Sequence, residues 1–166
     1  MQMTTIRRSY EAGHKPKFLV VIDDSPECDR AIYFAARRCA RIGASLLMCR
    51  VIGTMDRNQQ WLGVADIMKQ EAQDEARTVL AQAAARAKSI AGITAEQVIR
   101  EGEISDEILK LIDEDEDIVI LILAAATGKD GPGPLVTDLG KTAGAFPIPV
   151  AIVPGHLSDE NLDALA

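Results

Sequence analysis

The chain has 166 residues, enough for one domain with a sizeable core. Apolar residues make up 48% and aromatics only 4%, so that core must be aliphatic and rich in alanine. Lys and Arg number 18 against 25 Asp and Glu, and a net charge of −7 argues against a nucleic-acid or anionic-membrane surface.

Met1 to Pro16 lacks periodicity and is expected to be a mobile arm, and its polar character predicts no secretory leader. Lys17 to Asp23 is a short apolar run that ends in acids, as a strand buried on both faces would. Ser25-Pro26 then offers a hydroxyl cap and a proline for the first helical turn. The following helix carries Cys28, Ile32, Ala35, Ala36 and Cys39 on one face and stops at Gly43. Ser45 to Ile52 is the second strand, and Gly53 to Gly63 a polar loop holding Trp61. A long amphipathic helix spans about 66–91, with Ile67, Ala72, Ala76, Val79, Leu80, Ala83, Ala87 and Ile90 inward.

Thr94 to Arg100 alternates as a third strand. Ser105 is the expected cap of a helix to about Asp113, with Ile108, Leu109 and Ile112 buried. Asp117 to Ala125 is the most apolar strand, yet the uncharged run Ile118 to Ala126 is far shorter than the roughly 20 residues of a membrane helix. Thr127 to Pro134 is a loop of glycine and proline, Leu135 to Gly144 a short helix, and Ile148 to Val153 the last strand. Residues 155–166 are expected to form an acidic tail with one turn of helix. The domain proper is therefore expected over residues 17–154.

Alternating strands and helices imply an α/β fold with a five-stranded parallel sheet covered on both faces. Right-handed crossovers favour the order 3-2-1-4-5, in which ligands bind where the chain reverses, at the carboxyl ends of strands 1 and 4. Those ends are "DDSP" and "ATGKDGPGP", so the two oddest stretches of the sequence should be neighbours.

An acid pair after strand 1 also begins the receiver domains of phosphorelays. Such a domain needs an acceptor aspartate after strand 3 and a lysine after strand 5. Strand 3 here ends Arg100-Glu101-Gly102 and strand 5 ends Val153-Pro154-Gly155, so that chemistry is not expected. The segments "KFLVVIDDSPECDRAIYFAARRCARIGASLLMCRVI", "VIREGEISDEILKLIDEDEDIVIL" and "FPIPVAIVP" instead resemble, in order and spacing, the universal stress protein family. The resemblance runs from Lys17 to Pro154.

The resemblance implies an ATP-binding regulatory module, with magnesium if ATP binds. Asp23 matches the family's strand-1 acid, Ser25 its partner, and Val51 the strand-2 valine near adenine. Gly128 and Gly131 match the start of the Gly-x2-Gly-x9-Gly-[Ser/Thr] phosphate motif, which works by aiming backbone N–H groups at anionic oxygens. The second half departs from the pattern. Gly140 is followed by Lys141 and comes after only eight intervening residues, whereas counting back from Pro147 puts Val136-Thr137 where Gly-[Ser/Thr] belongs. The second register is preferred because the closing strand anchors it, which makes Thr137 the candidate hydroxyl. Pro132 and Pro134 remove two donors and Asp130 adds negative charge, so ATP is expected to bind weakly.

Each of these residues has a plainer role to weigh. Ser25 can be a cap, Thr137 a hydroxyl bonded to its own helix, and the glycines a tight turn. The single residues His14 and His156 stand at no ligand spacing, and no catalytic set or metal site is expected. Cys28, Cys39 and Cys49 read as reduced core residues of a cytoplasmic protein. A homodimer through residues 148–153 is expected, because that strand is an apolar edge and the family resembled pairs there. A dimeric interaction module without nucleotide, and a slow ATP hydrolase, remain as alternatives.

Overall fold

The computed structural model describes residues 5–53 and 62–166. Five strands, β1 (Lys17–Val21), β2 (Ser45–Ile52), β3 (Glu96–Glu101), β4 (Ile118–Ala125) and β5 (Val150–Pro154), form one parallel sheet. Their order is β3-β2-β1-β4-β5, the one expected from the alternation of strands and helices. Leu19 and Val20 of the central strand are fully buried and pair with Leu121 and Ile122 of β4. A strand covered on both faces cannot alternate apolar with polar, which is why β1 and β4 read as continuous apolar runs.

Helices α1 (Cys28–Ile42) and α2 (Leu62–Ala91) cover one face over Phe18, Val20, Leu46, Met48 and Ile122. Helices α3 (Ile104–Glu114) and α4 (Pro134–Thr142) cover the other over Leu19, Val21, Leu47, Cys49 and Leu123. The inward face expected for α1 is buried in full, and the helix ends at Gly43, whose N–H bonds Cys39 O. All three cysteines are free and buried, and desolvation pushes Cys28 up to about 11 and Cys39 and Cys49 up to about 12. No helix among the described residues is long and apolar enough to cross a membrane.

Several local expectations are corrected. Ser25 does not cap α1; the helix starts at Cys28 behind Glu27, which makes no side-chain cap bond. Glu103, not Ser105, caps α3, because its longer side chain reaches the N–H of Asp106 at 2.9 Å. Buried Leu111, not half-buried Leu109, faces the core with Ile108 and Ile112. Ile67 is 61% exposed, since α2 starts earlier than its apolar stripe and its first turns overhang the sheet. Trp61 and most of the loop expected over 53–63 lie outside the described residues.

The two terminal segments differ from the expected arm and tail. Residues 5–16 are tied to the α3–β4 corner, where Arg7 Nη1 donates to Ile112 O at 2.7 Å and to Asp115 O at 3.0 Å. His14 Nδ1 lies 2.7 Å from Asp117 Oδ1. At the other end, α5 (Asp159–Leu165) packs against α1 and inserts Leu162, which is fully buried. Ser158 caps it, and Asp163 Oδ1 accepts from Tyr33 Oη and Arg37 Nε, both at 2.8 Å. Arg41 donates to the carbonyls of Asp163 and Ala166.

Candidate functional site

A cavity of about 260 Å³ opens where the chain reverses between β1 and β4. Val21, Leu123 and Ala124 line it from the ends of those strands, and Ala31 and Cys28 from α1. Its rim is the acidic turn after β1 on one side and Pro132 to Val136 on the other. The two stretches that the topology makes neighbours do meet here.

Asp23 and Ser25 both line the cavity. The turn is fixed by Asp23 itself, whose Oδ1 accepts from Ser25 N at 3.0 Å and from Ser25 Oγ at 2.5 Å. Such a short aspartate-to-backbone bond is a local alternative to helix, so β1 stops at Val21 and α1 is delayed to Cys28. Oδ2 of Asp23 takes no part in these two bonds. Asp24 points to the other strand, where it pairs with Arg50 at 3.0 Å while Arg50 Nη1 donates to Ile22 O at 3.2 Å. That pair straps the β1 turn to β2 and uses the nearby cation.

The phosphate-loop candidates are less concentrated. Gly128 is exposed and Gly131 half-buried, and neither lines the cavity. The loop is closed by Ala126 N–H bonding Pro132 O at 3.0 Å. Gly133, at φ +106, makes the turn into α4 that a side chain would resist, and Pro134 follows at the first helical position. Thr137 Oγ1 bonds Gly133 O at 2.8 Å, so the hydroxyl is spent on its own helix, and Val136 rather than Thr137 lines the cavity. The donors α4 still offers there are the N–H groups of Leu135 and Val136, two of those every helix start leaves open.

Val51 lies apart. It packs on the α3 and α4 side of the core and lines a separate recess of about 160 Å³ with Ile52, Ala72 and Ala76. Glu27, which the sequence reading passed over, lines the main cavity between α1 and α4. The signal was there as a third acid in "DDSPE", but nothing in the spacing says that it would face α4.

Charge sorts the mouth clearly. Asp23, Asp24 and Glu27 line the cavity, and among the described residues no lysine or arginine does. No group of three potential ligands able to hold a metal occurs among the described residues.

Comparisons with known proteins fit this geometry. The family model described as the universal stress protein family matches residues 16–154. Among solved structures, universal stress protein UspA from Lactobacillus plantarum superposes with a TM-score of 0.69 at 15% identity, covering 83% of this chain and 97% of that one. The universal stress protein from Archaeoglobus fulgidus in complex with dAMP gives 0.59 at 18%, covering 83% and 97%. A universal stress protein family member from Arabidopsis thaliana with AMP bound gives 0.57 at 17%, covering 87% and 94%. A comparison with curated proteins finds no match. With a family match across the whole sheet and the same strand order, the chain belongs to the universal stress protein family.

Proposed function

We propose that this protein is a regulatory module that binds the nucleoside part of an adenine nucleotide at the mouth between β1 and β4 and gains little from the phosphates. The carrying observation is the cavity at the topological switch point, with Asp23 held in its rim by two bonds through one oxygen. Its other oxygen can accept from a ribose hydroxyl. At about 260 Å³ the cavity stands just below the ~300 Å³ at which small-molecule sites begin, which suits a partly enclosed ligand. Relatives of the same fold hold AMP or dAMP, which supports an adenine ligand here. Gly128 and Gly131 stand outside the lining and Thr137 is bonded to Gly133, so the phosphate side offers few donors for ATP with magnesium.

Calorimetry with adenosine and ATP tests this directly. Adenosine should bind, and ATP should bind no more than about tenfold more tightly, a difference of ~1.4 kcal/mol. Asp23→Ala should weaken both ligands by about tenfold through loss of a charge-assisted hydrogen bond. Tight ATP binding that survives Asp23→Ala would overturn the reading.

A second element concerns assembly. β5 is an outer strand, and its Ile152 is 50% exposed with no charged neighbour in the strand. An apolar edge of this kind is suited to pair with a second copy. A homodimer through β5 follows, and sedimentation equilibrium at micromolar concentration should show twice the 17.9 kDa chain. A purely monomeric boundary would remove it.

A further inference from the structure

Glu27 lines the cavity together with the turn into α4. It precedes the first residue of α1 but makes no cap bond to it, so its carboxylate has no task within its own helix. A methyl group placed on Gly133, the residue before α4, would lie 3.8 Å from Glu27 Oε1. That places the carboxylate beside the turn into α4, a helix start whose partial positive charge attracts anions.

Its stem is held there by backbone. The end of β5 passes so close that a methyl group on Gly155 would stand 2.4 Å from Ala125 O and 3.1 Å from Glu27 Cβ. Gly155 N–H bonds Ala125 O at 2.9 Å, which locks this approach. Glu27 is thus wedged between the ends of β4 and β5 and the turn into α4. None of the ion pairs among the described residues includes it, whereas the neighbouring Asp24 and Asp29 are both paired.

We infer that Glu27 sets the ligand preference of the cavity: it is a built-in carboxylate at the turn into α4, so the site takes the nucleoside and disfavours the phosphate groups attached to it. This rests on the nucleoside reading of the cavity for its ligand, but the exclusion of anions stands on Glu27 alone. An incoming phosphate would have to approach that negative charge to reach the N–H groups of α4.

The test uses inorganic tripolyphosphate as the probe, followed by amide NMR shifts of the full chain at constant ionic strength. The wild-type protein should show no saturable shift at Gly133, Leu135 and Val136. Glu27→Gln, which keeps the shape and removes the charge, should show saturable shifts there and bind the probe on the order of tenfold or more tightly. Glu71→Gln, on the exposed face of α2, removes the same net charge elsewhere and should behave like wild type. Equal behaviour of wild type and Glu27→Gln overturns the inference, as does an equal gain in Glu71→Gln or saturable binding at these amides in wild type. Adenosine is titrated into the same samples. Its failure to bind would sink the nucleoside reading, while the tripolyphosphate result still decides the role of Glu27.

Discussion

The two ends of the α1 environment treat acids in opposite ways. Where α5 docks, three carboxylates meet cations: Asp29 accepts from Arg86 at 2.9 Å and Arg30 at 2.6 Å, Asp159 pairs with Arg30 at 2.8 Å, and Asp163 with Arg37 at 2.8 Å. The guanidinium groups of Arg30, Arg37 and Arg86 also stand 5.4 to 5.7 Å from the Tyr33 ring. A few residues away at the cavity mouth, Asp23 and Glu27 face the rim with no basic side chain among the described residues of the lining. The paired cluster builds scaffold. The unpaired one defines what can enter, because an uncompensated charge costs little while it faces water and much when a like charge is brought to it.

The largest test of the scaffold side is Leu162→Ala. Leu162 is fully buried against α1, and truncating such a leucine costs about 2–5 kcal/mol. Urea unfolding should show that loss. A loss under ~1 kcal/mol would mean that α5 rests on its ion pairs rather than on its apolar anchor.

Gly155→Ala joins the two regions, since the added methyl meets Ala125 O and the stem of Glu27. Overpacking at this contact should cost about 1–3 kcal/mol in thermal unfolding. Unchanged stability would mean that the turn after β5 yields to the added methyl without strain.

Acid should weaken the scaffold through Asp29. Burial works against its charged form, but the bonds from Arg86 and Arg30 prevail and hold its carboxyl below the ordinary range. A depressed folded value means stability that is present above the unfolded value of about 3.9 and is lost as the pH falls from there through the folded value. Unfolding followed between neutral pH and acid should therefore steepen below about pH 4, and Asp29→Asn should flatten that slope. An unchanged slope would remove Asp29 from the paired cluster's contribution.

The smallest effect belongs to Asp24→Asn. Its pair with Arg50 is exposed on the acid's side, 74% at Asp24, and exposed pairs contribute about 0–1 kcal/mol. Chemical denaturation should change by less than ~0.5 kcal/mol. A larger loss would show that the strap between the β1 turn and β2 carries the shape of the cavity mouth.

Much of the fold was legible in the residues. The apolar runs of β1 and β4 imply strands buried on both faces, Gly43 marks the end of α1, and strict alternation with right-handed crossovers leaves few topologies, of which β3-β2-β1-β4-β5 is the commonest. That order in turn brings "DDSP" and "GPGP" together, so the position of the cavity was also within reach. Local chemistry was harder to read. Ser25 has the composition of a cap, yet its hydroxyl turns back to Asp23, because an aspartate two residues earlier offers a nearer acceptor. Thr137 suits a phosphate hydroxyl by register, yet the Gly133 carbonyl one helical turn back takes it.

What the sequence determines by itself is whatever depends on period and short-range sterics: which runs are strands, where helices stop, and which topology their alternation allows. Only the tertiary structure decided the fate of groups whose partners are far away along the chain. Residues 5–16 and α5 lack an apolar period long enough to announce a docked element, but Arg7 finds the carbonyls of α3 and Leu162 a groove on α1. Glu27 could not be assigned from its neighbours in sequence, because its setting is made by Gly133 and Gly155, more than a hundred residues on. Charge and hydrogen bonding act through space, so their outcome waits for the chain to bring those segments together.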